Sequence, residues 1–363
     1  MIDLPFDPLE MMRTNSAALN VPGGLLTQQG PQDYIGSVPA IAGTLFFAGG
    51  HLTAVREAIC ACFDEYQRIV NPTLTWLFRE DPPEGPSKLA ISKAKPLETM
   101  LAKMDEDHGL SFHYTSGKAS KDAGPWEFHV IGIPAWRDKM GGWGLCGLKF
   151  SVPLLFVEEN SAAFVQLFVD FARRLRAVHG YAGYSLVLSD ECYLENQAFE
   201  TFLTSTLRGF DAGHLVAGAA NAHLGIKTVG WLTAINREYL ERIGGESTVR
   251  SELPKDWFRL FDYSAGIVIQ AGPRPEGAPA DEQLPARLVL PNMLLQPIRT
   301  PSVRLHYASS ESEPRLMGLA AEHWLARFDV PADQLMTFKA KLLTEPKIPA
   351  QPAPPPPADC PSI

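Results

Sequence analysis

Twice in this chain a helical pattern runs into His-Gly and then into an aromatic-rich segment: "MDEDHGLSFHY", Met104–Tyr114, and "RAVHGYAGYSL", Arg176–Leu186. In each, the residues before the histidine repeat apolar side chains at spacings of three and four, the period of a helix with one buried face. Leu97, Leu101 and Met104 form the first stripe, behind Pro96 at a helix start. Phe164, Leu167, Phe168, Phe171, Leu175 and Val178 form the second, over Ser161–His179. Glycine after a helix end suits the left-handed C′ position, and a terminal histidine complements the helix dipole. The expectation is a helix stopped at Gly109 or Gly180, then a strand. This reading makes His108 and His179 structural.

The same joint occurring twice, with strands between amphipathic helices, gives an α+β fold. We expect a largely antiparallel or mixed sheet flanked by amphipathic helices, an arrangement open to division into two similar halves. Strands are expected at "GTLFFAGG", "TLTWLF", "LSFHYTS", "WEFHVIGI", "GLKFSVPLLFV", "YSLVLS", "SAGIVIQAG" and "ARLVLPNMLL". A helix from Leu52 carries Val55, Ile59, Cys62, Phe63, Tyr66 and Ile69, and another beyond Leu194 carries Phe199, Phe202, Leu203 and Leu207. A further short strand ends at Trp231-Leu232, with Thr233 placed to cap the helix after it. The expected organisation is an extended lead-in over 1–40 and an α/β body over 41–300, divisible at about 41–157 and 158–300. Closing helices over 301–345 and a proline-rich disordered tail over 346–363 complete it.

Among 363 residues the formal net charge is -9, which argues against nucleic acid as a direct partner and suits a basic protein partner. The N-terminus is acidic and no long apolar run follows it, so neither a secretory leader nor a membrane span is expected. Five cysteines without C-x-x-C spacing fit reduced thiols and a cytoplasmic location.

The chemical motifs fail one by one. "GWGLCG" has G-x-G-x-x-G spacing but precedes a strand, whereas a phosphate cradle must open a helix. Glu345-Pro-Lys347 has nuclease-like spacing but sits where the tail begins. His113 and His129 are placed to approach across neighbouring strands, where packing is the commoner role. The acids Asp105, Glu106 and Asp107 lie at the unfavourable end of a helix for negative charge. No cofactor or metal is expected.

The order of several segments nonetheless resembles the type VI secretion immunity family, TsiV. The matching pieces are "LETMLAKMDEDHGLSFHYTSG", "LKFSVPLLFV", "FARRLRAVHGYAGYSLVL", "IKTVGWLTAINREYLERIGG", "AGIVIQAGPRP" and "LLQPIR", with "GTLFFAGGHLTAVREAI" ahead of them. The resemblance implies an antitoxin that neutralises a cognate VRR-NUC-type nuclease toxin by occluding its active site or substrate path, with no catalysis and no membrane role. The acidic clusters then become candidate toxin contacts: Asp105, Glu106, Asp107, Glu158, Glu159, Asp190, Glu191 and Glu195. Two other readings stay open. One is an enzyme of unknown chemistry seeded by His108, His113 and His179; the other is a structural or adaptor component of the secretion system.

Overall fold

The computed structural model describes residues 20–27, 32–70, 73–80, 85–141, 144–306 and 314–349. Its frame is one eleven-stranded sheet, antiparallel at every pairing, in the order β10-β11-β9-β8-β2-β7-β6-β5-β3-β4, with β1 beside β2. In chain order the elements begin with β1 (Val21–Gly23), β2 (Gln32–Phe47), α1 (Thr53–Val70), β3 (Trp76–Arg79) and β4 (Lys88–Ala90). Next are α2 (Leu97–Leu101), β5 (Leu110–Thr115), β6 (Glu127–Gly132), α3 (Ala135–Lys139), β7 (Cys146–Val152) and α4 (Leu154–Leu175). Then come β8 (His179–Leu188), α5 (Tyr193–Thr206), α6 (Leu215–Asn221), β9 (Leu232–Asn236), α7 (Arg237–Arg242) and α8 (Gly245–Glu252). The chain continues through β10 (Phe258–Asp262), β11 (Gly266–Ala271), α9 (Ala286–Leu295), α10 (Leu319–Leu325) and α11 (Leu335–Leu342). The α+β architecture expected from the helix–strand joints is the one observed.

β2 is the longest strand and the seam of the sheet. It pairs with β7 over Ile41–Phe47 and with β8 over Ser37–Phe46, so segments before and after residue 157 share one sheet. It starts at Gln32, inside the stretch read as a lead-in, because Gly36 and Pro39 break the sequence pattern of a strand. Pro39 is tolerated for a geometric reason. The carbonyls of Gly36 and Phe46 accept bonds from Ser189 and Val178 on the β8 side, so even-numbered residues face β8. Pro39 therefore turns its nitrogen the other way, beyond Val152 where β7 has ended, and no ladder bond is lost. Of the expected lead-in, residues 1–19 and 28–31 lie outside the described residues, as do 350–363 of the expected tail.

One face of the sheet carries Ile41, Leu45, Phe112, Tyr114, Phe128, Leu148 and Phe150. These pack with Ile59, Phe63 and Tyr66 of α1 and Phe164, Phe168 and Phe171 of α4 into the main core. The other face is covered by α6 near β6 and β7. At the β9–β11 end, Ile235, Ile267 and Ile269 pack with Leu288 and Val289 of α9 and Phe338 of α11.

Four local expectations are corrected. "PLLFV" is helical, because Pro153 ends β7 and starts α4. "ARLVLPNMLL" is the helix α9 despite Pro291; it is buried around most of its circumference, and an all-apolar run carries no periodicity to tell helix from strand. Thr233 lies in β9, and Asn236 caps α7 by accepting a 2.9 Å bond from the Tyr239 N–H. Glu345 belongs to no tail. Its carboxylate accepts from the Ala286 N–H at 2.5 Å and pairs with Arg287 at 2.9 Å, so it caps α9.

Gly109 and Gly180 do not stop helices, since neither has a positive φ. The left-handed cap of α4 is Arg176, at φ 48°. Gly180 lies within β8, where a Cβ would sit 2.5 Å from the Thr44 carbonyl oxygen and 2.6 Å from Leu45 Cδ2. The demand for glycine there is close approach to β2, not backbone freedom. At Gly109 the nearest atom to such a Cβ would be 3.6 Å away, an ordinary contact. Gly180→Ala should therefore cost about 1–3 kcal/mol in urea unfolding, as overpacking does. Gly109→Ala should stay within about 0.5 kcal/mol of the parent. Equal effects at the two positions would contradict this assignment.

Candidate functional site

Strand alternation sends Ser111, His113, Thr115, Glu127, His129, Lys149 and Ser151 to the face away from α1 and α4. Cross-strand pairing then lines up one row over six strands: Phe78, His113, His129, Lys149, Thr44 and Tyr181. Such a polar row would ordinarily meet solvent. Here α5, α6 and the connection before β9 cover its middle, and His113, Glu127, His129 and Thr44 are all buried.

The result is a closed electrostatic chain. Asp190 Oδ1 lies 2.6 Å from His113 Nδ1, and His113 Nε2 lies 2.9 Å from Glu127 Oε1. Lys149 Nζ stands 3.2 Å from Glu127 Oε2. Burial alone would lower the His113 pKa, but Asp190 and Glu127 overcome it and raise it to about 9. Burial pushes Glu127 upward, and Lys149 and His113 hold its carboxyl well below the usual range. Two carboxylates, one imidazolium and one ammonium sum to zero, so the buried charges compensate one another. His129 stacks on His113 at 4.2 Å between ring centroids. Burial and the His113 charge push His129 well below its ordinary value, and push His214 down to about 4.

A second buried pair lies beside this chain. Glu200 on α5 sits 2.6 Å from His306 Nε2 and also accepts from the Gly213 N–H at 3.0 Å. Between the two groups is a cavity of about 20 Å³ lined by His113, Glu127, His129, Lys149, Glu200 and His214. Outside it, an open depression of about 340 Å³ reaches His113, His129 and His214 from the surface past Arg79 and Lys88. A larger one, about 550 Å³, adjoins it through Glu80 and Ser111 and is flanked by Asp107, Trp136, Arg137 and Arg304. The two make one groove along the uncovered edge of the sheet.

The three histidines considered as catalytic seeds do not converge. His108 pairs with Asp105 at 2.6 Å at the surface. His179 is wholly buried, and its Nε2–H donates to the Ala222 carbonyl at 2.8 Å. Only His113 belongs to the cluster. The approach of His113 and His129 across neighbouring strands is observed, as a direct pair in the β5–β6 ladder. Glu127 and Lys149 had no role in the sequence reading, because alternating polar residues in strands look like a solvent-facing side; Glu200 on α5 and His306 in a connection are brought together only by tertiary packing.

The acidic clusters occupy different surfaces. Asp105, Glu106 and Asp107 are exposed in the turn before β5. Arg56 of α1 fixes that turn by donating to the Met104 and Asp105 carbonyls, the latter at 2.8 Å. Glu191 borders the smaller depression and pairs with Lys88 at 2.9 Å. Glu158 and Glu159 are exposed on α4, on the opposite side of the sheet, and Glu195 is half-buried on α5. Asp190 is turned inward to His113. Of the glycine motif, Gly142 lies outside the described residues, Gly144 packs against Ala219 and Ala220, and Gly147 is in β7.

The family model described as type VI immunity for VRR-NUC, TsiV, matches residues 58–328, which include the whole groove and both buried pairs. The chain belongs to the TsiV family. A solved structure titled Pseudomonas aeruginosa T6SS protein PA0821 is similar at 41% identity with a TM-score of 0.87, over 96% of this chain and 98% of that one. No curated protein matches the chain. Among the described residues, no helix of this TsiV protein is long and apolar enough to cross a membrane.

The burial of His179 gives a pH prediction. Loss of hydration depresses its pKa from 6.5 to about 4. Between those values the unfolded chain binds the proton and the folded chain does not, so stability is full above pH 6.5 and falls toward pH 4. His179→Gln, which keeps a donor for Ala222, should show a shallower acid-side loss of melting temperature. An unchanged slope would show that His179 titrates normally.

Proposed function

We propose that this TsiV protein is a cytoplasmic antitoxin that binds a cognate VRR-NUC nuclease toxin and blocks its active site or substrate path stoichiometrically, without catalysis. The observation that carries the reading is the family match over residues 58–328. A net charge of -9 supports it, because a nuclease must present a basic surface to phosphates, and an acidic protein can occupy that surface.

Of the candidate contacts, we assign first place to Asp105, Glu106, Asp107 and Glu191. Asp107 and Glu191 border the same groove, Asp105 and Glu106 share the exposed turn of Asp107, and Trp136 is 51% exposed beside it. A large exposed aromatic ringed by charge is the usual make-up of an interface centre. Glu158, Glu159 and Glu195 are second candidates, on other surfaces. Asp190 contributes indirectly, by holding His113.

Co-expression of the toxin with and without this chain tests the neutralisation itself; continued killing in its presence overturns it. Binding kinetics then test the surface. Asp105→Asn with Glu106→Gln and Asp107→Asn should slow association by about tenfold at low salt and flatten its salt dependence. Trp136→Ala should act mainly by speeding dissociation. Wild-type kinetics in both variants would place the interface elsewhere.

A further inference from the structure

The cavity beneath α6 plays no part in toxin binding as proposed above. Its volume of about 20 Å³ suits a single water or a single ion. Ligand atoms of His113, Glu127 and His129 all lie within 4.8 Å of one another, and all three residues are buried. Two contacts there are unusual for a purely hydrogen-bonded cluster. His113 Nε2 lies 2.9 Å from Glu127 Oε1, yet makes no hydrogen bond of acceptable angle, and neither does Glu127 Oε2. A separation of 2.9 Å off the N–H axis is close to the spacing of two ligands on one ion; with bonds of roughly 2.0–2.2 Å a tetrahedral ion needs about 3.3–3.6 Å, an opening of about half an ångström.

The opposite nitrogen of the same ring is engaged by a carboxylate, Asp190, at 2.6 Å. Once Nε2 has given up its proton, that arrangement keeps the remaining one on Nδ1 and leaves Nε2 its lone pair, and it recurs behind metal-bound histidines. We propose that His113 Nε2, the Glu127 carboxylate and a ring nitrogen of His129 form a site for a divalent transition metal, zinc by preference, with Asp190 as the positioning residue. Two imidazoles and one carboxylate are a borderline-soft set that suits zinc and leaves a coordination position for water. The ion takes the place of the Nε2 proton that His113 otherwise directs at Glu127, the Nδ1 proton stays with Asp190, and Lys149 remains as the outer partner of Glu127.

One side chain must move. The His113 and His129 rings are stacked within 12° of parallel, so their lone pairs do not meet at one point. A turn of the His129 ring about its Cβ–Cγ bond aims a nitrogen into the adjoining cavity, which His129 lines. The ion has a route in, because the surface depression of about 340 Å³ also reaches His113 and His129.

The test uses the full chain without an affinity tag, dialysed against a chelator and then titrated with zinc by calorimetry. X-ray absorption of the zinc-loaded protein counts imidazole ligands. One equivalent of zinc, a raised melting temperature and two imidazoles per zinc are expected. His129→Gln should weaken binding at least tenfold while its metal-free melting temperature stays near the parent's. Asp190→Asn should weaken it about 10–100-fold, the usual effect of losing the carboxylate behind a ligating histidine. His108→Gln, which alters an exposed histidine, should bind as wild type. Substoichiometric zinc on the wild type, fewer than two imidazoles per zinc, or undiminished binding by His129→Gln would each overturn the site. The wild-type measurements decide the matter even if a variant fails to fold.

Discussion

The double ladder of β2 is the constraint on which the molecule rests. A strand paired on both edges over most of its length can hold no solvent-facing edge and tolerates little bulk where its neighbours approach. Gly180 and Gly43 meet that demand: a Cβ on Gly43 would come within 2.9 Å of the rings of Phe150 and Phe168. Because β7 and β8 lie on opposite sides of β2, the chain must cross from one flank to the other, and α4 makes that crossing over the apolar face. The packing of α4 fixes the aromatic core, and the core fixes which strand residues point away from it.

The buried polar row follows from that orientation. Once Phe112, Phe128, Leu148 and Phe150 face α1 and α4, the residues between them must face the opposite way. In an isolated antiparallel sheet they would be wet. The second half of the chain folds back over them, and the ionisable groups under α6 must then find partners or neutralise. They do both: Asp190, His113, Glu127 and Lys149 pair, while His129 and His214 are held neutral. Removing one member would leave a buried charge uncompensated, a loss of about 3–5 kcal/mol in comparable networks.

Function, in the reading proposed here, uses the part of this face that the second half leaves open. The groove edged by Glu80, Asp107 and Trp136 continues from the buried cluster to the surface, so a rigid polar interior backs a surface of acids and one exposed aromatic. In that reading, contact side chains on a pinned turn and on a short helix beside the sheet would lose little freedom on binding, which would favour tight inhibition. Arg56 serves that end by tying the acidic turn to α1.

The sequence by itself determined the α+β class, the amphipathic helices α1 and α4, most of the strands and the kinship carried by its ordered segments. Those features are written in local periodicity and in runs of particular residues. It misread the His-Gly joints, because a glycine needed for strand-to-strand clearance and a glycine needed for a left-handed turn are the same letter. It misread "ARLVLPNMLL" because an apolar run buried around most of its circumference lacks the alternation that separates helix from strand. The cluster of His113, Glu127, Lys149 and Asp190 was beyond it for a different reason. Its members lie up to 77 residues apart in the chain, and His113 on β5 meets Asp190, just beyond β8, across a sheet in which three other strands lie between β5 and β8. Residue type decides whether a side chain can carry charge; only tertiary packing decides whether that charge faces water or another charge.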